Sequence, residues 1–125
     1  MNHDAFLLSL PSRAEHLGTA RSFAAAIARH YAVAGEAVED LKLAISEACV
    51  DALVAGDPID VRAEETGRAV AFSVQAPESD GEPERSGPDE LGASARVELI
   101  RTLFPDAEVV SDDDRREIRF SLPIG

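Results

Sequence analysis

Tryptophan is absent from this chain, tyrosine and cysteine occur once each, and phenylalanine five times. With Cys49 as the single thiol, no internal disulfide can form, which suits a reducing cytosol. With so few aromatics, the core must be built mainly from Ala, Val, Leu and Ile. Basic side chains are also scarce, 12 against 24 acidic ones, for a net charge of -12. Such a surface repels phosphate backbones, so direct binding to DNA or RNA is not expected. It suits a basic protein partner, or simply keeps the chain in solution. No apolar stretch approaches the roughly 20 residues of a membrane span. The opening "MNHDAFLLSLPSRAEH" has no basic region of the signal-peptide kind. A cytoplasmic protein away from membranes is expected. The 125 residues, 45% of them hydrophobic, fit one domain over 1–125 with a real core.

Local patterns give the element order. "FLLSL", Phe6 to Leu10, reads as a short strand, stopped by Pro11. Ser12 with Glu15 three residues on has the form of a capping box, predicting a helix from there to about Tyr31. Leu17, Ala20, Ala24, Ile27 and Tyr31 share one face of it. A second helix is predicted from about Ala37 to Ala55, closed by "GDP" with Gly56 as its cap. "IDVRA" and "AVAFSV" alternate as strands, joined by a hairpin turn at Gly67. Pro77 to Gly92 reads as a long charged loop, then a short helix from about Ala93 to Phe104. "AEVV" and "EIRFSL" follow as strands around the turn "SDDDRR". The class is α+β, with helices packed on one face of a mostly antiparallel sheet.

The second helix carries the chemistry-bearing pattern. "LKLAISEACVDALVAG" sets Glu47 and Asp51 four residues apart, where side chains are neighbours and like charges oppose each other. They continue a stripe through Glu36, Asp40, Leu43 and Val54 that borders the apolar face. Two readings stand side by side: a pair of functional carboxylates, or an exposed acidic edge. Cys49 has no evident basic neighbour to activate it and reads as a packed thiol. His3, His16 and His30 show no metal-ligand spacing with each other or with Cys49.

"LKLAISEACVDAL" resembles the helix motif L-x-L-A-x-S-E-A-x-x-N-A of the GHKL ATPases. More narrowly, it is similar to that of the anti-sigma factor serine kinases of the RsbW and SpoIIAB type. Leu41, Leu43, Ala44, Ser46, Glu47, Ala48 and Ala52 fall in place. The tail "LIRTLFPDAEVVSDDDRREIRFSLP" is similar to the family's last helix and closing hairpin. The resemblance covers nearly the whole chain. It implies a Bergerat-like two-layer sandwich with a mixed, mostly antiparallel five-stranded sheet. It also implies a nucleotide site. Glu47 stands at the position of the family's general base. Asp51 stands where the family has the Asn that holds Mg²⁺ on the phosphates of ATP.

The sequence departs from the family at both glycine boxes. Ala76 stands where the adenine-binding Asp is expected, with Asp80-Gly81 as a displaced substitute. At the second box Gly92 remains, but Ser94 and Arg96 stand at the glycine positions; Arg96 is a candidate phosphate contact. The resemblance with these changes implies an anti-sigma-like regulator with weak or lost ATP binding. It would bind a sigma factor, an anti-anti-sigma (STAS) partner, or both, and family members also form homodimers. The alternative is an active ATP–Mg-dependent kinase that phosphorylates an anti-anti-sigma factor.

Overall fold

A computed structural model describes residues 4–53, 56–77, 88–112 and 114–124. Five strands form one sheet in the order β1-β2-β3-β5-β4: β1 Ala5–Leu10, β2 Ile59–Glu65, β3 Ala69–Pro77, β4 Glu108–Ser111 and β5 Arg115–Pro123. All four pairings are antiparallel, so the sheet is not mixed. The connection after β3 delivers the chain to the far edge as β4, and the β4–β5 hairpin returns β5 to β3. Three helices, α1 Leu17–His30, α2 Glu36–Leu53 and α3 Pro88–Leu103, complete the fold.

The strands alternate as their sequences require. Ile59, Val61 and Ala63 of β2, Val70, Phe72, Val74 and Ala76 of β3, and Ile118, Phe120 and Leu122 of β5 are buried. They share one cluster with Ala20, Ala24, Ala28, Leu41, Ile45 and Ile100 of the helices. The helices therefore cover one face, and Arg62, Glu64 and Arg119 stand exposed on the other. Phe120 stacks on Phe72 and Phe104, with ring centroids 5.9 and 4.6 Å away, so three of the few aromatics form the centre of the core. Phe72 and Phe120 are also a register pair. At the β2–β3 turn Gly67 has φ 98°, a conformation that suits a residue without Cβ. The Thr66 amide donates to the Ala69 carbonyl at 2.8 Å to close that turn.

Three expectations need correction. No capping box forms: a 3₁₀ turn, Ala14–His16, precedes α1, and no side chain caps it. Instead the Ser12 hydroxyl donates to the Leu53 carbonyl at 3.0 Å, and its amide donates to the Asp57 carboxylate. Ser12 thus ties the end of β1 to the end of α2. Second, the last helix starts at Pro88, not near Ala93. Proline suits the first helical position, where its missing N–H costs no hydrogen bond. The end of the expected loop is therefore helical, and α3, at 16 residues, is longer than α1 at 14. Third, β5 begins at Arg115 rather than Glu117, which brings Arg116 into register with Ala76.

Candidate functional site

The site is built on the C-terminal half of α2. Most of the motif residues there are packing residues. Leu41 and Ala44 are fully buried, and Ala48 and Ala52 nearly so. Small alanines at these positions let α2 lie close against the sheet. Ser46 faces α1, where its hydroxyl accepts from Arg21 Nη1 at 3.0 Å. Cys49 is buried, which pushes its thiol pKa up to about 12, with the Arg21 charge pulling weakly the other way.

Glu47 is half-buried and has no hydrogen bond or ion pair among the described residues. Asp51, one turn on, is different. It is 2% exposed, and both of its carboxylate oxygens are held by Arg116 of β5. Arg116 Nε donates to Oδ2 at 2.8 Å and Nη2 donates to Oδ1 at 3.3 Å. This is the fork-to-fork geometry that makes arginine–carboxylate pairs strong and directional. Arg116 has the same strand parity as Ile118, Phe120 and Leu122, so it projects from the helix-covered face. Its register partner is the buried Ala76. A methyl group therefore stands beside the guanidinium where the resemblance calls for an acid.

The acidic stripe thus divides. Glu36 is exposed, Asp40 and Glu47 are half-buried, and Asp51 is buried and neutralised. Sequence reasoning missed Arg116. The signal was available: an arginine in phase with three apolar residues of a strand must find an anion on the buried side.

The other candidate residues are dispersed. Asp80 and Gly81 lie outside the described residues. Gly92 and Ser94 lie within α3, whose N-terminus is at Pro88, so the first-turn amides of that helix are not theirs. Arg96, two turns in, is half-buried, and its Nε is buried with no hydrogen-bond partner among the described residues. Among the described residues no group of three or more His, Cys, Asp or Glu is arranged to hold a metal ion.

The nucleotide fit can be judged from these groups. Arg96 Nε, unmatched among the described residues, is a donor of the kind an anion satisfies. Against it, both Asp51 oxygens are already bonded to a cation, and Ala76 offers no side-chain acceptor for an adenine amino group. A Mg²⁺ ion at Asp51 would have to displace a bidentate guanidinium. The residues in this arrangement do not fit a Mg–ATP complex.

The sequence model of the histidine kinase-like ATPase domain matches residues 10–122. The chain is 27% identical over 136 aligned residues to the serine-protein kinase RsbW of Listeria monocytogenes serotype 4a, covering 89% of this chain and 82% of that protein. It is 26% identical, with the same coverage, to the serine-protein kinase RsbW of Listeria innocua serovar 6a. No described helix is long and apolar enough to cross a membrane.

Proposed function

The chain belongs to the histidine kinase-like ATPase domain family, and within it we propose a regulator of the anti-sigma type that has lost most of its Mg–ATP chemistry. It works in the cytoplasm by binding a sigma factor, an anti-anti-sigma STAS-domain partner, or both. The observation that carries this reading is the Asp51–Arg116 pair. The residue at the expected metal position is buried and fully engaged by an internal cation. The net charge of -12 supports a basic partner surface. The similarity to RsbW proteins supports the partner class.

The test has two arms. Calorimetric titration with ATP and ADP, with and without Mg²⁺, is expected to show no heat below millimolar nucleotide. Pairwise binding against sigma factors and STAS-domain proteins is expected to recover a partner without nucleotide. Tight Mg-dependent ATP binding, or no partner in either class, would overturn the reading.

A second reading has one observation in its favour. Glu47 is half-buried and unpaired among the described residues, on the same stripe as Asp51. That leaves it free to accept a proton from a hydroxyl. In that case the protein is an ATP–Mg-dependent kinase acting on an anti-anti-sigma protein. Phosphate transfer from labelled ATP to a STAS-domain serine, abolished by Glu47→Gln, would establish it.

A further inference from the structure

At the opposite end of α2 from Asp51 lies a cleft of about 590 Å³. Three elements form it: Ala37 and Asp40 at the start of α2, Leu103 and Phe104 at the end of α3, and Leu122 near the end of β5, with Asp106 at its side. Asp40 and Asp51 are separated by about 16 Å along the helix axis, so this cleft is distinct from the Asp51 site. Its volume is in the range of ligand and peptide-anchor pockets.

The lining has a definite chemistry. It is mostly apolar, and its two charged groups are both carboxylates. Asp106 Oδ1 accepts the Ser121 amide at 3.2 Å, which leaves its other oxygen available. Asp40 is half-buried and makes no ion pair or hydrogen bond with any described residue. A carboxylate partly withdrawn from water beside an apolar wall favours an incoming cation over an incoming anion or a neutral group. One helical step along the same stripe is Leu43, 41% exposed. It is one of two large hydrophobic side chains exposed among the described residues, the other being Leu7 of β1. Leu43 extends the apolar surface from the cleft along α2.

We propose that this cleft binds a linear segment of a partner protein in which an apolar anchor is flanked by lysine or arginine. The anchor enters between Leu103, Phe104 and Leu122. The basic side chains meet Asp40 and Asp106, and a neighbouring apolar residue covers Leu43. Charge complementarity decides the occupant. Among the described residues the cleft has two carboxylates and no basic lining residue, so a second copy of this acidic chain is disfavoured. The proposal stands on the cleft and does not depend on the state of the Asp51 site.

The test uses a fluorescein-labelled octapeptide with a Lys-Leu-Phe-Lys core and Gly/Ser flanks, and a counterpart with both lysines changed to glutamate. The full chain is titrated by fluorescence anisotropy, and amide shifts are followed by two-dimensional NMR. The lysine peptide is expected to bind saturably, with shifts at residues 37–43, 103, 104, 106, 121 and 122, and the glutamate peptide is not. Asp40→Asn is expected to weaken binding about fivefold, the scale of one lost partly exposed charge pair. Leu43→Ser, at a position exposed enough to spare the fold, is expected to weaken it severalfold. Arg62→Ala, on the opposite sheet face, should leave it unchanged. Equal binding of both peptides, indifference to Asp40→Asn and Leu43→Ser, or shifts confined to other surfaces would overturn the proposal. Self-association that protects the cleft amides would overturn it too, by assigning the surface to a second copy.

Discussion

Replacing Arg116 with methionine removes the guanidinium while keeping most of the apolar stem. Asp51, 2% exposed in the native chain, then loses the partner of both its oxygens. Breaking a fully buried ion pair from one side costs about 3–5 kcal/mol, because the orphaned charge keeps its desolvation penalty. The Arg116 side chain is 26% exposed, so water reaches this pair from one end. The low end of that range, about 3 kcal/mol, is therefore expected. For a domain of this size that corresponds to a fall in Tm of about 10 °C. Urea denaturation of Arg116→Met, Asp51→Asn and the double variant gives the coupling directly. A coupling energy of about 2 kcal/mol is expected, with the double variant less damaged than the sum of the singles. A second readout addresses the site itself. With the guanidinium gone, Glu47 and Asp51 are free to attract a divalent cation, so millimolar Mg²⁺ should raise the Tm of Arg116→Met and not that of the wild type. A destabilisation below about 1 kcal/mol, or a coupling within error of zero, would refute the claim that the pair is buried and mutually satisfied.

Other perturbations probe different parts of the structure. Ser12→Ala should cost about 1 kcal/mol in urea denaturation through loss of the bond to Leu53, whereas Glu15→Gln should change nothing measurable, since no capping box depends on it. Ala32, just past α1, has φ 63°, a left-handed conformation that penalises a Cβ. Ala32→Gly should therefore raise stability by about 0.5 kcal/mol, the strain relief slightly exceeding the added flexibility of the unfolded chain. With the Cys49 pKa near 12 and the thiol buried, the thiolate fraction at pH 8 is on the order of 10⁻⁴, so a disulfide reagent should label the folded protein at least a hundredfold more slowly than the unfolded one. The folded state holds this proton more tightly than the unfolded chain, whose thiol titrates near 9.0. The resulting stability is present in full below about pH 9 and is lost as pH rises towards 12. Cys49→Ala should flatten that alkaline limb of the stability profile.

Much of the fold was legible because its signals are local. The alternation of "IDVRA" and "AVAFSV" and the helical spacing of Val38, Leu41, Ile45 and Ala48 each require only a short window. The errors arose where two local signals competed or a partner was distant. Ser12 carries the capping-box pattern, but the Leu53 carbonyl, 41 residues away in sequence, takes its hydroxyl. The stretch from Pro77 to Gly92 reads as loop because proline, glycine and charge fill it without periodicity, although its last five residues, from Pro88, are helical. At the site, Glu47 and Asp51 were found together because the helix repeat places them together. Their environments were not found, because burial of Asp51 depends on a strand 65 residues further on.

That difference in environment bears directly on function. Two carboxylates one turn apart repel each other when both are solvated and unpaired. The usual escapes are a bound cation, exposure to water, or a fixed internal counter-charge. This chain uses the third at Asp51: a guanidinium supplies, within the polypeptide, the positive charge that a divalent ion would otherwise bring. A helix neutralised in this way carries its counter-charge within the chain and needs no external cation to offset Asp51. The pair ties the C-terminal half of α2 to β5 through two charge-assisted hydrogen bonds. The burial of the Asp51 carboxylate therefore makes physical sense only together with Arg116, whose guanidinium matches its charge.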